Sequence, residues 1–237
     1  MTRTAIISGG TRGLGRAITL ELARRGYEVL ALYRSDEAAA ASLRGELAAE
    51  GLRGRCLAQD VTADPAALER ELDGGLLTLG GRLTLVHNAS APFTPAPLHL
   101  VRWSEIEAQL AVAVRGGLSL AQLVLPRMVR ARAGTIVNVL SAAVAAPLPP
   151  RGFSAYVVAK EALRGLTRAL AAEYRARGVR VFSVSPGYME TPMTAAWDDR
   201  LRALVAAASP PVSPAEVARL VADRAEEAPG EGEDYAL

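Results

Sequence analysis

The sequence predicts an α/β fold in which helices cover both faces of a parallel sheet, and three observations support this prediction. Short apolar runs alternate with longer amphipathic stretches along the chain, as in successive strand–helix units. The length of 237 residues fits one sizeable domain, and 50% of the residues are hydrophobic, which excludes a wholly disordered chain. No segment has the composition of an interdomain linker, so we expect a single domain over residues 1–237.

Six strands and six helices follow from these patterns. The strands are predicted at residues 5–7, 28–33, 55–58, 83–87, 135–140 and 179–185. The helices are predicted at residues 14–25, 37–50, 65–72, 103–132, 154–177 and 214–226. The acidic, glycine-containing tail at residues 226–237 is predicted to be loose.

Individual residues justify these elements. In the first helix, Leu14, Ile18 and Leu22 recur on one face. The helix at residues 65–72 begins with proline, which favours the first helical turn. The strand at residues 135–140 is rich in β-branched side chains. Because strands and helices alternate, we expect the strands to be parallel and covered on both faces.

The composition excludes several classes of function. The formal net charge of +2 argues against a general nucleic-acid-binding protein. The one cysteine, Cys56, allows no disulfide within the chain and suits a reducing compartment. The first residues lack the apolar core of a signal peptide, and arginine, proline or polar residues interrupt every long apolar run. We therefore expect a cytoplasmic protein with no membrane partner, no nucleic-acid partner and no metal site.

A glycine-rich loop follows the first predicted strand, in the segment Ser8-Gly9-Gly10-Thr11-Arg12-Gly13-Leu14-Gly15. Its glycines at positions 9, 13 and 15 permit a tight turn, close approach of a ligand to the backbone, and packing of the helix on the sheet. The start of the helix then presents free N–H groups to a pyrophosphate. The loop therefore predicts a dinucleotide site and a Rossmann-type, doubly wound sheet.

Two arginines predict which dinucleotide binds. Tyr33 and Arg34 end the second strand, where an NAD-preferring site carries an acidic residue. Arg34 is placed to stack on adenine or to meet a 2′-phosphate, and Arg12 in the loop is placed to approach the same phosphate. Asp36 is acidic, but it lies past the end of the strand. NADP(H) is therefore the predicted cofactor.

Tyr156 and Lys160 are candidate catalytic residues. They are four residues apart on a predicted helix, so they share one face. A tyrosine with an ordinary pKa of about 10 is a poor acid or base at neutral pH, and a nearby ammonium is expected to lower that pKa. Ser141 follows the fifth strand, where its hydroxyl is placed to polarise a substrate carbonyl. Of the 27 basic residues, Lys160 is the one lysine and the other 26 are arginine.

Together these motifs resemble the short-chain dehydrogenase/reductase family from Thr4 to about Val221. The further segments that match the family are Asp60-Val61, Asn88-Ala89 within His87-Asn88-Ala89-Ser90, and Ser185-Pro186-Gly187 with Thr191. The resemblance implies that the first of these segments contacts adenine and that the last one holds the nicotinamide.

The resemblance also implies a reaction, the reduction of a ketone by hydride from NADPH. Tyr156 would protonate the forming alkoxide, and Ser141 would donate a hydrogen bond to it. Lys160 would bind the ribose of the cofactor and tune Tyr156. The implied substrate is a small-molecule carbonyl compound or an acyl thioester.

Two positions depart from the family pattern. Ala113, three residues before Gly116, stands where the family has an asparagine that completes a proton relay. A backbone carbonyl with water, or Gln109 one helical turn away, are alternatives for that role. The C-terminus lacks the usual further helix and paired glycines, so its last strand is short at best and the family's tetramer contact there is in question.

The substrate loop is predicted at residues 189–210, and residues 90–94 and 142–153 form its other walls. The apolar residues of these segments are Phe93, Val144, Leu148, Phe153, Met189, Met193 and Trp197. They suggest a mostly apolar pocket, although core packing explains apolar residues equally well.

Arginines end two of the predicted helices, and these are Arg127, Arg130, Arg132, Arg175 and Arg177. Family members that reduce 3-oxoacyl groups dock acyl carrier protein on basic residues in such places, so a carrier is one candidate partner. Complementing the helix dipole is an alternative role for these arginines. The resemblance also implies a homo-oligomer, either a dimer through the two long helices or a tetramer.

Three functions remain open. The first is a reductase most like the 3-oxoacyl-carrier-protein reductases, and the second is an alcohol dehydrogenase or ketoreductase for a sugar, steroid or secondary metabolite. The third is a non-catalytic NADP-binding regulator. Ser141, Tyr156 and Lys160 favour an enzyme, whereas Ala113 favours the regulator.

Overall fold

A seven-stranded parallel sheet forms the centre of the fold. The computed structural model describes residues 3–64, 66–70, 82–145, 149–195, 197, 199–208, 211–227 and 234–236. The strands are β1 (Arg3–Ser8), β2 (Tyr27–Tyr33), β3 (Gly54–Ala58), β4 (Arg82–His87), β5 (Gly134–Val139), β6 (Val179–Ser185) and β7 (Asp234–Ala236). They lie in the order β3-β2-β1-β4-β5-β6-β7, and every pairing is parallel. The predicted doubly wound α/β fold is confirmed.

The helices follow the strands largely as predicted. They are α1 (Gly13–Arg24), α2 (Glu37–Ala49), α3 (Trp103–Leu110), α4 (Gly116–Ala131), α5 (Ala142–Ala145), α6 (Ser154–Tyr174), α7 (Asp199–Ala208) and α8 (Pro214–Glu226). Residues 66–70 are also helical, and the other residues of the predicted helix at 65–72 lie outside the described part of the chain. The structure adds α5 and α7, which the sequence analysis did not predict.

Apolar side chains fill the space on both sides of the sheet. On one side, the predicted helix face of Leu14, Ile18 and Leu22 is buried in the core that α1 shares with α8. On the other side, Leu120 of α4 and Leu170 of α6 belong to a second core. The two layers leave the carboxyl ends of the strands open as the edge available for a ligand.

The long helix predicted at residues 103–132 is interrupted. A π-helical segment, Ala111–Arg115, joins α3 to α4. Gly117 follows this segment, and a Cβ atom added there would lie 2.9 Å from His87 Cδ2. The helix therefore approaches β4 more closely than any side chain larger than glycine allows.

The run Trp103–Ala131 is long and apolar enough to cross a membrane, with a mean hydropathy of 1.4 over 18 residues. The sequence predicted no membrane span because polar residues interrupt the apolar runs. The mean hydropathy of this run is nevertheless high enough for a span. Half of that 18-residue window is buried inside the fold, where Leu120 and Val124 belong to the core. Core packing is therefore sufficient to explain its hydrophobicity.

The C-terminal residues form a short strand, as the departure from the family pattern predicted. β7 pairs with β6, with Asp234 beside Ser183 and Ala236 beside Ser185. The Asp234 carboxylate accepts hydrogen bonds from the hydroxyls of Ser183 at 3.0 Å and Ser185 at 2.8 Å. The prediction of a loose tail is therefore wrong for residues 234–236, while residues 228–233 and 237 lie outside the described part.

The helix predicted at residues 154–177 ends earlier than expected. α6 stops at Tyr174, and a 3-10 turn, Arg175–Arg177, leads to Gly178 with φ +82°. This left-handed residue starts the return into β6, which glycine permits at little cost.

Candidate active site

The candidate site is a cleft along the carboxyl ends of the strands. The strand order reverses between β1 and β4, and ligands of open α/β sheets bind at such a switch point. The cleft has a volume of about 1060 Å³, above the common range of about 300–1,000 Å³ for small-molecule pockets. The predicted site residues that line it are Gly9, Thr11, Arg12, Gly13, Leu14, Tyr33, Arg34, Asp60, Val61, Asn88, Ala89, Ser141, Tyr156, Lys160, Pro186, Gly187 and Thr191. Their roles stay predictions.

The glycine loop has the backbone geometry of a phosphate cradle. Gly9 and Gly13 have φ angles of +62° and +49°, in the region that favours glycine. A Cβ atom at Gly15 would lie 2.0 Å from the Gly9 carbonyl oxygen, so only glycine lets α1 start this close to the loop. Arg12, the residue before α1, makes no side-chain cap, which leaves the first N–H groups of the helix for a ligand.

Ser8 and Gly15 do not line the cleft itself, and their contact with the cofactor stays a prediction. The Ser8 hydroxyl oxygen accepts the backbone N–H groups of Asn88 and Ala89, both at 3.0 Å. Asn88 Nδ2 in turn donates to the carbonyls of Ser8 at 3.2 Å and Gly9 at 3.3 Å. Ser8 is fully buried, so its part is to hold the end of β4 against the loop.

His87 extends this network to the π-helical segment. Its Nε2 atom donates to the carbonyl of Ala113 at 3.0 Å, so in the neutral ring Nδ1 is free to accept from the Ser8 hydroxyl at 2.9 Å. Burial, with the charge of Lys160 as a second cause, lowers the pKa of His87 to about 4. The ring is therefore neutral at physiological pH. In the sequence, His87 is part of a motif that gives no sign of this link.

The two alternatives for the missing relay asparagine have other partners. The Ala113 carbonyl accepts from His87, as described above. Gln109 is buried, and its Nε2 atom donates to the carbonyls of Ala91 at 3.2 Å and Pro92 at 3.1 Å. Gln109 thus fixes the chain after β4, and the geometry gives no support to it as a relay.

Gln59, which the sequence analysis did not single out, provides a test of whether a dinucleotide fits. Its Nε2 atom donates to the Asp60 carbonyl at 3.0 Å, which fixes the orientation of the amide. Its Oε1 atom is buried and has no hydrogen-bond partner among the described residues, and Gln59, which directly follows β3, lines the cleft. An N–H donor such as the exocyclic amine of adenine would satisfy it. The site therefore fits the adenine half of the predicted cofactor.

The arginines predicted to select NADP both line this half of the cleft. Arg12 Nη1 lies 3.1 Å from the carboxylate of Asp36, which also caps the start of α2. Asp36 therefore lies in the cleft, although the sequence placed it past the strand end. The Tyr33 hydroxyl donates to Glu37. Arg34 is exposed at the cleft, next to the same strand end.

Ser141, Tyr156 and Lys160 meet at the other half of the cleft. The Ser141 oxygen accepts the N–H of Ala143 at 3.2 Å, and its hydroxyl lies near enough to the Tyr156 phenol to act on its pKa. The Lys160 ammonium donates to the Val139 carbonyl at 2.7 Å and lies 5.6 Å from the centre of the Tyr156 ring. The three predicted catalytic side chains are thus brought together.

The electrostatics of this triad differ from the prediction. Burial raises the pKa of Tyr156, and the hydrogen bond from Ser141 opposes that shift in part. Burial lowers the pKa of Lys160 to about 8. The predicted lowering of the Tyr156 pKa by Lys160 is wrong for this structure, because Val139 holds the ammonium over the ring and desolvation of the phenol dominates.

The segment after β6 closes the cleft opposite the glycine loop. The Pro186 carbonyl accepts the N–H of Ala142 at 2.8 Å. The N–H of Thr191 donates to Thr194 Oγ1 at 3.1 Å. A Cβ atom at Gly13 would lie 3.5 Å from Thr191 Cβ, so this segment reaches the phosphate loop.

The predicted substrate walls are largely apolar in the structure. Those of the predicted wall residues that line the cleft are Phe93, Phe153, Met189, Met193 and Trp197. Val144 instead belongs to a core cluster with Leu163, which corrects its predicted place, and Leu148 lies outside the described residues. The structure adds Tyr188, and Leu201 and Val205 of α7.

A cleft of this kind places the molecule among the Rossmann-type oxidoreductases. The family model described as short chain dehydrogenase matches residues 3–202. The chain therefore belongs to the short-chain dehydrogenase/reductase family, as the motifs predicted.

Relatives of varied activity are similar to this chain. A 3-oxoacyl-acyl-carrier-protein reductase of Staphylococcus aureus is 31% identical over 204 residues, covering 85% of this chain and 80% of its own. A 2-(R)-hydroxypropyl-CoM dehydrogenase of Xanthobacter autotrophicus is 34% identical over 196 residues, covering 82% and 77%. A solved structure from Beutenbergia cavernae, provisionally described as an NAD(P)-dependent gluconate 5-dehydrogenase with NADP at low occupancy, has a TM-score of 0.84 and 30% identity, covering 99% and 94%.

Proposed function

We propose that the protein reduces a ketone to a secondary alcohol with NADPH. The observation that carries this proposal is that Ser141, Tyr156 and Lys160 line the same cleft as the glycine loop. When bound, NADPH supplies the hydride that the carbonyl carbon receives. Tyr156 donates the proton to the carbonyl oxygen, since its raised pKa keeps it protonated at neutral pH. Ser141 orients that oxygen.

Lys160 is placed to hold the cofactor. Its ammonium has three N–H donors, and one of them goes to the Val139 carbonyl. Because Lys160 lines the cleft, its other donors are available to ribose hydroxyls. A compact ammonium fits this buried place, whereas a planar guanidinium does not.

The test is NADPH oxidation, followed by absorbance, on a panel of ketones that includes sugars, steroids and 3-oxoacyl thioesters. The proposal predicts turnover of at least one ketone and its loss in Tyr156→Phe, with NADPH binding retained. Cofactor binding by the wild-type protein without turnover of any panel member would instead favour the non-catalytic regulator.

We further propose that Arg34 gives the site its preference for NADPH. Arg12 already has a carboxylate partner in Asp36, so a 2′-phosphate competes for it, whereas Arg34 has no such pairing among the described residues. Arg34→Ala is expected to lower the NADPH-to-NADH ratio of kcat/KM about tenfold or more, and Arg12→Ala to lower it less. An unchanged ratio in Arg34→Ala contradicts the preference.

A 3-oxoacyl thioester is the first substrate class to test, because a relative that acts on this class is 31% identical over most of the chain. Docking of its carrier on the helix-terminal arginines has a geometric limit. α4 and α6 end where β5 and β6 begin, so these arginines lie at the edge of the sheet opposite the cleft. A carrier docked there serves only the cleft of another subunit. Equal kcat/KM for carrier-bound and short synthetic thioesters would exclude carrier docking.

The assembly and the compartment stay predictions. Leu118 on α4 and Val158 on α6 are 36% and 46% exposed, which supports a dimer through these two helices. Light scattering is expected to give a dimer or tetramer for the wild type and a smaller species for Val158→Glu. A cytoplasmic location is implied by the family resemblance and by the one cysteine.

A further inference from the structure

Aromatic residues are concentrated at the substrate end of the cleft. The chain has only eleven aromatic residues, with two Trp, six Tyr and three Phe. Five of them line this one end of the cleft, and these are Phe93, Phe153, Tyr156, Tyr188 and Trp197. We call Phe93, Phe153, Tyr188 and Trp197 the aromatic wall.

The aromatic wall is continuous with the catalytic tyrosine. Phe93 stacks on Tyr156, with ring centres 4.7 Å apart and planes at 15°. Trp197 packs edge-on against Phe93 at 5.6 Å and against Phe153 at 5.2 Å. The Trp197 ring centre is therefore no more than about 10 Å from that of Tyr156, roughly the length of one substituted aryl ring.

Within the wall, Trp197 carries a buried polar atom for which the described residues supply no partner. The residue is 8% exposed and lines the cleft, and its indole N–H is buried with no hydrogen-bond partner among the described residues. Buried indole N–H groups usually find an acceptor. The side chains beside Trp197 in its cluster, Leu201 and Val205, are aliphatic and offer none.

We propose that Trp197 is a specificity-determining residue whose indole N–H donates a hydrogen bond to an acceptor oxygen on the substrate. That oxygen lies on a flat, apolar body, about one ring away from the carbonyl that is reduced. The substrate class is therefore an aryl or similarly unsaturated ketone that carries an ether, ester or second keto oxygen. This inference rests on the proposed ketone reduction for its kinetic test, but not for its binding test.

The kinetic test compares two ketones of matched size, 4′-methoxyacetophenone and 4′-ethylacetophenone, of which only the first has the remote oxygen. The readout is the ratio of kcat/KM for the two ketones in each variant, so that their intrinsic reactivities cancel between variants. Trp197→Phe keeps an aromatic ring but removes the N–H, and it is expected to lower this ratio about three- to tenfold. Trp103→Phe, an exposed tryptophan outside the cleft, is the matched control and leaves the ratio unchanged.

The binding test uses the fact that the chain has two tryptophans. In Trp103→Phe, Trp197 is the one remaining indole, so its fluorescence reports directly on the wall. Titration with 1-(4-methoxyphenyl)ethanol is expected to shift its emission to longer wavelength, because the N–H gains an acceptor. The 4-ethyl alcohol is expected to bind at least threefold more weakly and without that shift.

The outcomes separate this inference from the proposed reductase function. Turnover of both ketones with the same ratio in wild type and Trp197→Phe overturns the role of Trp197 and leaves the function intact. Selective binding of the methoxy alcohol without turnover of any ketone supports Trp197 and contradicts the function. Failure of both aryl compounds to bind and to react overturns the inference.

Discussion

At the scale of the residue, Lys160 connects the composition to the chemistry. It is the one lysine among 27 basic residues, and it lies 3% exposed near the ring of Tyr156. The Val139 carbonyl holds its ammonium at 2.7 Å in a space lined by backbone and ring atoms. A chain that uses arginine elsewhere thus has a physical reason for lysine here, because the guanidinium group is broader and planar.

The variant Lys160→Arg tests this argument. We expect kcat to fall about 10²-fold, since a guanidinium misplaced at this position no longer holds the ribose and the cofactor in register with Tyr156. Circular dichroism and the thermal midpoint check that the variant folds, and Arg164→Lys on the exposed side of the same helix is the control. Near wild-type turnover in Lys160→Arg would show that charge alone suffices.

The buried His87 is expected to make the stability of the fold depend on pH in the acid range. Its pKa is lowered from an ordinary 6.5 to about 4 by burial, so the unfolded chain binds a proton that the folded chain does not between these values. The stability that depends on neutral His87 is therefore present above pH 6.5 and is lost as the pH falls towards 4. The loss amounts to about 3 kcal/mol.

Urea unfolding between pH 7 and pH 4.5 measures this effect. His87→Asn keeps hydrogen-bonding capacity without a titratable ring, and we expect its stability to depend less on pH over this range. His99→Asn changes the exposed histidine and serves as the control. A profile that His87→Asn leaves unaltered would show that other groups govern the acid limb.

At the scale of the element, a close approach of α4 to β4 follows the interruption between α3 and α4. Gly117 lets α4 pass close to the imidazole of His87. A Cβ atom added at Gly117 would lie only 2.9 Å from His87 Cδ2. Gly117→Ala is expected to destabilise the protein by about 1–3 kcal/mol through overpacking. Gly165→Ala on α6, where a Cβ meets nothing within 4 Å, is expected to be neutral or stabilising by up to about 1 kcal/mol. Equal effects in chemical denaturation would contradict the close approach.

The elements show what the sequence determines locally. The six predicted strands are present because apolar and β-branched runs bounded by turn residues favour buried strands whatever surrounds them. β7 was predicted only as a strand that is short at best, since Asp234 has little strand propensity and is held by the hydroxyls of Ser183 and Ser185 of β6. The π-helical segment was not predicted either, and its contact with His87 joins residues that are distant in sequence.

At the scale of the whole molecule, the candidate site also divides into residues that the sequence predicts and features that only the fold shows. The glycine loop and the Ser141, Tyr156 and Lys160 set were predicted from motifs, because each carries its own local signal. The buried acceptor of Gln59 and the indole N–H of Trp197 carry no sequence signal, since an unpaired atom becomes evident only once the fold surrounds it. The residue types at the site were thus predictable from the sequence. Which buried polar atoms have a hydrogen-bond partner was not.

The cofactor is expected to stabilise the whole fold, because its predicted contacts come from both halves of the sheet. With NADPH at about 100 times its Kd, linkage gives about 2.7 kcal/mol of added stability. A rise in the thermal midpoint with NADPH that exceeds the rise with an equal concentration of NADH checks the proposed preference. Gly13→Val, which crowds the loop, is expected to abolish both shifts, and a retained shift would place the cofactor elsewhere.

The central claim is hydride transfer to a carbonyl carbon in the cleft of Ser141, Tyr156 and Lys160. The most direct measurement uses NADPH carrying deuterium at the transferable position and a ketone from the panel, with mass spectrometry of the product. The account predicts an alcohol with one deuterium on the former carbonyl carbon, formed by the wild type and at least about 10²-fold more slowly by Tyr156→Phe. An unlabelled alcohol, or labelled product at equal rates from both proteins, would contradict it.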